Sequence, residues 1–147
     1  PLLDASGFDL TPLDRDDFVL AVAETSPLAR REAIALHEAA HEPFIMYPRS
    51  KVPGLLALAM MRCQFSGFAP QVAQEAAQVQ TIMSLVASGL GVGILPEGSA
   101  RLYLGALPLR CIALDEPWAE RQLMLCVRSQ EALPPVAQLL VEHLCEP

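Results

Sequence analysis

Two short segments carry side chains able to hold a small ligand. The loop YPRSKVPGL, Tyr47 to Leu55, joins a short apolar run to the start of an apolar helix. Amides of a first helical turn, here near Gly54 and Leu55, can accept a carboxylate because no residue of the helix pairs with them. Arg49 and Lys51 add positive charge, Ser50 a hydroxyl, and Gly54 room for backbone to approach a ligand closely. An ordinary surface loop with solvated charges fits the same pattern equally well. The segment AAQVQT, Ala76 to Thr81, also runs from a strand candidate into a helix, with Gln78, Gln80 and Thr81 offering hydrogen bonds at its start. On local evidence, simple capping of that helix is the favoured reading.

Other groups resist a chemical role. The glycines of GLGVG, residues 89–93, are spaced like part of a nucleotide loop, but they follow a helix and open a strand. A dinucleotide fingerprint needs the reverse order, so this is read as a helix stop and tight turn. His37 and His41 have the i, i+4 spacing of two metal ligands, yet no further His or Cys stands nearby and Pro43 ends the segment; a polar helix face is the simpler reading. Cys63 and Cys126 lie in apolar surroundings and are expected to be buried and inert. Asp14, Asp16 and Asp17 read as a solvated face, and Trp118 as a cap on the edge of the core. No nucleophile, base and orienting group stand together. Neither catalysis, a metal nor a cofactor is expected.

These segments need a scaffold, and the hydrophobic pattern supplies one. Strand candidates are Phe18 to Ala23, Phe44 to Tyr47, Gln71 to Glu75, Val92 to Leu95, Leu107 to Leu114 and Leu123 to Val127. Residues 1–17 read as acidic and irregular, and Ser26 to Pro43 as short helical turns. A helix is predicted over Gly54 to Ser66, apolar nearly all round and therefore buried on more than one side, with Gly67 as its stop. Val79, Ile82, Met83 and Val86 mark an amphipathic helix. Val136, Leu139, Leu140 and Leu144 form the stripe of a terminal helix begun at Pro135. Alternating strands and helices predict an α/β fold, a mostly parallel sheet with helices on its faces. Ligands in such sheets sit outside the carboxyl ends of strands.

Composition narrows the classes. The chain has 147 residues, 52% hydrophobic and 18% charged, so it is not intrinsically disordered. No run of about 20 apolar residues is present. Ten basic against 17 acidic residues give a net charge of −7, and no basic patch suited to a phosphate backbone stands out. Four cysteines at spacings that fit no zinc or redox motif point to a reducing compartment. The chain opens on Pro1 and a turn-like PLLDASG, which reads as a piece of something longer.

Three pieces fall in a telling order: SPLARREAIALHEAAHEPFIMYPRS, then the turn Gly67-Phe68-Ala69-Pro70, then TIMSLVASGLGVGILPEG. With them the chain resembles the effector-binding domain of a LysR-type transcriptional regulator over nearly its whole length. The resemblance implies a periplasmic-binding-protein-like (type 2) fold: two α/β lobes joined by crossing strands, with a small effector between them. It assigns residues 14–116 to the second lobe, nearly complete, and residues 1–13 and 117–147 to remnants of the first. The winged helix-turn-helix that binds DNA lies outside this chain. Family inducers, many of them small organic acids or aromatics, commonly lie against the loops matching Arg49, Ser50, Pro53, Gly54 and Leu55, and Gln78 and Val79. The resemblance further implies a cytoplasmic protein that forms homo-oligomers, dimers or tetramers, with the helix from Gly54 to Ser66 as an interface element. The terminal stripe should pack on first-lobe elements, at about 1.5–3 kcal/mol for each side chain covered; the chain alone is expected to self-associate or fray there. Alternatives are a transport solute-binding protein of the same fold, an enzyme with Cys63 or Cys126 as nucleophile, and an oligomerisation module without a ligand.

Overall fold

Strand β2 (Phe18–Ala23) is buried along its whole length. Side chains alternate across a strand, and here the two sets enter two separate cores. Phe18, Leu20 and Val22 face one; Val19 and Ala21 face the other. A strand covered on both faces reads as a continuous apolar run, which is how FVLAVA appears in the sequence. The structure, a computed structural model, describes residues 7–48, 50, 53–128 and 133–145. The chain divides into two compact units, Asp17–Glu120 and Pro1–Asp16 with Arg121–Pro147.

Within the larger unit, β2 lies between β6 (Gly93–Pro96) and β7 (Leu109–Leu114), antiparallel to both. The two-residue β3 (Ala33–Ile34) adds parallel to β7. Strand β4 (Pro43–Met46) pairs parallel with β5 (Gln71–Glu75). A parallel bridge from Phe44 to Val92 joins this pair to the start of β6, with Val92 donating to Pro43 O and accepting from Ile45 N, both at 2.8 Å. The expected mostly parallel sheet is therefore corrected in one respect. Every strand runs one way except β2, and because β2 sits in the middle the sheet is mixed. The reason is connectivity: β2 follows directly where the chain enters the unit and β7 precedes where it leaves, so the two run side by side in opposite directions.

Helices cover both faces. Helix α1 (Pro53–Phe65) sets Ala59 and Cys63 on the first core with Phe44, Ile94 and Ile112. Helix α2 (Val79–Ala87) sets Ile82, Met83 and Val86 on the second with Ile45, Tyr47 and Leu95. The predicted stripe of α2 is thus the buried one. A short α3 (Glu97–Arg101) adds Ala100 to the same core. The turns predicted over Ser26 to Pro43 are two 3-10 turns, Pro27–Arg30 and Leu36–Ala39. Gly67, at φ +88°, ends α1 where Phe68 N returns to Cys63 O.

The expectation that α1 is buried on more than one side is corrected. Met61 is exposed and Phe65 is 77% exposed, since among the described residues no second layer covers them. The irregular reading of residues 1–17 is corrected too. Asp9–Arg15 is a strand, β1, antiparallel to β8 (Gln122–Val127), with a register break between Pro12 and Asp14. Its partner lies more than a hundred residues away, so local sequence gives no sign of the pairing. Helix α4 (Pro135–Cys145) completes this smaller unit, in which no described residue is fully buried. Cys126, expected to be buried, is exposed. It shares a strand face with Met124 and, across the ladder, Leu10, all three exposed.

Candidate functional site

Two loops leave the larger unit's sheet side by side. Register pairs Met46 with Glu75, and the next amide, Ala76 N, donates to Met46 O at 2.9 Å. Parallel pairing therefore delivers the segment after β4 and the segment after β5 to one edge, at the carboxyl ends of both strands. Each then enters a helix, α1 at Pro53 and α2 at Val79. Neither helix has an acidic residue in its first turn, so neither helix start itself sets a carboxylate against an anion.

The predicted residues sort as follows. Gln78 is the residue before α2, extended at φ −111° and ψ 134°, and its exposed side chain makes no capping bond. Plain capping by Gln78, the favoured local reading, is thus not what its side chain does; only its carbonyl joins the helix, accepting from Ile82 N at 3.1 Å. Val79 is half-buried against the second core. Ser50 lies exposed in the turn after β4. Pro53, Gly54 and Leu55 are the first three residues of α1. Gly54 is exposed, and a Cβ built there meets nothing within 4 Å. Its conformation is helical, so the space above it rather than its φ is what a ligand could use. Arg49 and Lys51 lie outside the described residues.

Beneath these loops the frame is apolar and closed. Tyr47, the residue after β4, is buried in the second core with Ala76 and Ile82, and burial pushes its phenol pKa up. A buried, neutral phenol fixes the base of the first loop to the start of the second.

Elsewhere the chemistry is sparse. His37 and His41 are exposed, and among the described residues no cluster of three His, Cys, Asp or Glu is placed to hold a metal ion. Burial raises the Cys63 thiol to about 11. The half-buried Cys111 is also pushed to about 11, by burial first and then by the Glu97 charge. Neither is an activated nucleophile. Cavities of about 190 Å³ and 380 Å³ lie at the opposite end of β2, against Ser26 and Pro27. The GLGVG segment behaves as a turn: Gly89, at φ +81°, follows α2, and Gly91 packs so tightly that a Cβ would overlap Pro43 O.

Trp118 sits where the sequence reading put it, on the edge of the first core. Its surroundings were not legible. Arg62 of α1 lies over the indole ring, 5.5 Å from the centroid, and the Glu116 carboxylate accepts from the indole nitrogen at 3.1 Å. The Glu-Pro-Trp sequence was the available signal for the second contact; nothing local signals the first.

Known proteins place this architecture. The family model described as the LysR substrate binding domain matches residues 1–146. The HTH-type transcriptional regulator TtuA of Agrobacterium vitis is 34% identical over 119 residues, covering 74% of this chain and 39% of that protein. The transcriptional dual regulator GltC of Bacillus subtilis is 34% identical over 120 residues, covering 82% and 39%. The chain thus spans about two-fifths of the length of these curated relatives. Among solved structures, the C-terminal domain of a probable LysR family regulator from Rhodococcus superposes with a TM-score of 0.78 at 22% identity, covering 99% of this chain and 71% of that one. The BenM effector binding domain with its effector benzoate gives 0.74 at 22% identity, covering 100% and 70%. The fold is the type 2 periplasmic-binding-protein-like α/β fold of these domains, and the chain belongs to the LysR substrate-binding domain family.

Proposed function

We propose that this chain is the effector-sensing part of a LysR-type transcriptional regulator, with no catalytic role. The larger unit belongs to the second lobe of its effector-binding domain, and the smaller unit to the first. The effector is a small organic compound, a carboxylate or an aromatic. It lies against Arg49, Ser50, Pro53, Gly54 and Leu55 on one loop and Gln78 and Val79 on the next. The observation that carries this reading is the parallel pairing of β4 and β5, which brings two uncapped or uncharged helix starts to one sheet edge. Benzoate with BenM and shikimate with QuiR, both ring carboxylates, are the ligands of two structural neighbours, and they suit such an edge.

The protein works in the cytoplasm as a homo-oligomer. The uncovered side of α1, with Met61 and Phe65, is the association surface, and DNA is bound by a winged helix-turn-helix domain outside these residues. The relatives' names as transcriptional regulators support the regulatory role. The effector acts by binding one arrangement of the domain better than another, and shifts the balance only by that difference in affinity.

Amide chemical shifts of this chain titrated with benzoate and with shikimate test the site. Saturable shifts confined to Ser50, Gly54, Gln78 and Val79 are expected, and Gln78→Ala weakens them several-fold. Shifts centred instead on Thr25 to Pro27, at the far end of the sheet, would overturn the assignment.

A further inference from the structure

Trp118 is a meeting point of three elements. Its ring packs on Phe18, the first residue of β2, with centroids 6.0 Å apart at a tilt of 41°. Its nitrogen donates to one oxygen of Glu116 at 3.1 Å, and the other oxygen accepts from the Leu36 amide at 3.0 Å. That amide opens the turn Leu36–Ala39, whose Leu36 and Ala39 are buried, so the carboxylate ties the indole to the core. Over the ring lies the guanidinium of Arg62, from the last turn of α1. Arg62 Nε is buried and has no hydrogen-bond partner among the described residues. The ring face is thus one contact of this cation, an attraction that strengthens with desolvation.

The place of the cluster in the chain matters as much as its contacts. Phe18 is the second residue after the chain enters the larger unit, and Trp118 stands two residues before it leaves at Glu120. Pro117–Ala119 is a tight 3-10 turn closed by Ala119 N on Glu116 O at 2.9 Å. Met61 and Phe65, which flank Arg62 in α1, are exposed. The Arg62–Trp118 contact joins α1 to the indole, and the indole is part of the outgoing segment.

We propose that Trp118 is a positioning residue that relays the state of helix α1, through Arg62, to the segment 116–120 by which the chain leaves the larger unit. This rests on the reading of α1 as an association surface. Association restrains α1, the restraint reaches the ring through Arg62, and Glu116 passes it to the outgoing turn.

Trp118 is the single tryptophan of the chain, so its emission reports on the cluster directly. Emission and sedimentation are measured together over a concentration series for the wild type, Arg62→Met, Arg62→Lys and Phe65→Asp. The emission maximum is expected to move with association in the wild type and in Arg62→Lys, which keeps the cation. Arg62→Met should still associate but lose the shift, and Phe65→Asp should show neither. The same shift on association in Arg62→Met overturns the relay.

A wild-type chain that stays monomeric overturns the reading of α1 but leaves the relay testable by hydrogen exchange. Arg62 bonds neither the Ala119 nor the Leu36 amide, so a relay predicts both exchange about tenfold faster in Arg62→Met and recover in Arg62→Lys. Unchanged protection at both amides overturns it.

Discussion

The two units draw on similar residues and reach opposite states of burial. In Asp17–Glu120, a strand such as Phe18–Ala23 has helices on both faces, and its side chains are divided between two cores. In the smaller unit, β1 and β8 form a two-stranded ladder backed by α4, and none of its described residues is fully buried. Helix α4 turns half-buried Ala137 and Val141 inward, while Val136, Leu139, Leu140 and Leu144 stay exposed. A two-stranded ladder with one helix has too few layers to cover a second stripe. Amphipathic pattern therefore says that a helix has an apolar face. Whether that face is covered depends on how many layers the surrounding unit has.

The contrast is broken most directly by truncating one side chain in each unit. Phe44 is fully buried, lies between Val72 and Val92 in the sheet, and has the Phe68 ring 6.0 Å away. Phe44→Ala is expected to cost about 3–5 kcal/mol in urea denaturation. Leu139 is 65% exposed, and Leu139→Ala should stay within about 0.5 kcal/mol. Amides of α4 should also exchange much faster than those of α2, or be protected only as the chain associates. A monomer by light scattering with a well-protected α4 would show that the smaller unit is closed after all.

A backbone contact sharpens the picture inside the larger unit. Gly91 packs against Pro43 O, the same oxygen that accepts from Val92 N. A methyl group there must push β4 away from β6, so Gly91→Ala is expected to cost about 1–3 kcal/mol, as overpacking does. Gly54 is the control. It sits in α1 with open space around it, and Gly54→Ala should raise stability by up to about 1 kcal/mol through helix propensity. Equal effects at the two glycines, read from denaturation midpoints, would remove the distinction.

The larger unit was mostly legible, and the reasons are local. FVLAVA has strand length with no polar side, and the stripe of α2 repeats at helical spacing, so each announces its element and its burial. The strand-to-helix loops at Tyr47 and Ala76 were legible as possible binding segments for the same reason. That they lie side by side was not, because adjacency comes from the β4–β5 pairing. Strand β1 escaped notice because DLTPLDR alternates poorly and its partner is β8, near the other end of the chain. Cys126 looked buried because its neighbours are apolar; apolar neighbours on an uncovered face do not bury anything. The Arg62–Trp118 contact joins residues over fifty positions apart, beyond any pattern of spacing.

Thiol chemistry measures the same contrast at single sites. Cys126 and Cys145 are exposed in the smaller unit, while Cys63 is buried and Cys111 half-buried in the larger. A disulfide reagent at neutral pH is expected to modify the first two quickly and the others slowly. Burial also gives a pH signature. The Cys63 pKa is raised from the ordinary 9.0 to about 11, so the folded chain holds that proton more tightly than the unfolded one. The stability it contributes is fully present below pH 9.0 and is lost as pH rises toward about 11. Replacing Cys63 by Ala should flatten that part of the pH–stability curve, whereas Cys126→Ala should leave it unchanged.

The smallest effect lies on the larger unit's own surface, where burial plays little part. The Glu38 carboxylate accepts from the Ala35 amide at 2.9 Å and pairs with Arg31 at 3.0 Å. The Ala35 amide bond lowers this carboxyl most; desolvation opposes it, and the Arg31 guanidinium adds to the lowering, so the group is held below its ordinary 4.5. A lowered pKa means that the folded state releases the proton more readily. The contribution is therefore present above pH 4.5 and is lost as pH falls through the lower folded value. Because the group is exposed, raised salt should weaken the Arg31 pair while leaving the Ala35 bond. The Ala35 amide shift, followed against pH at low and high salt, separates the two. A midpoint that returns to the ordinary carboxylate value in high salt would mean that the ion pair, and not the amide, holds the carboxyl down.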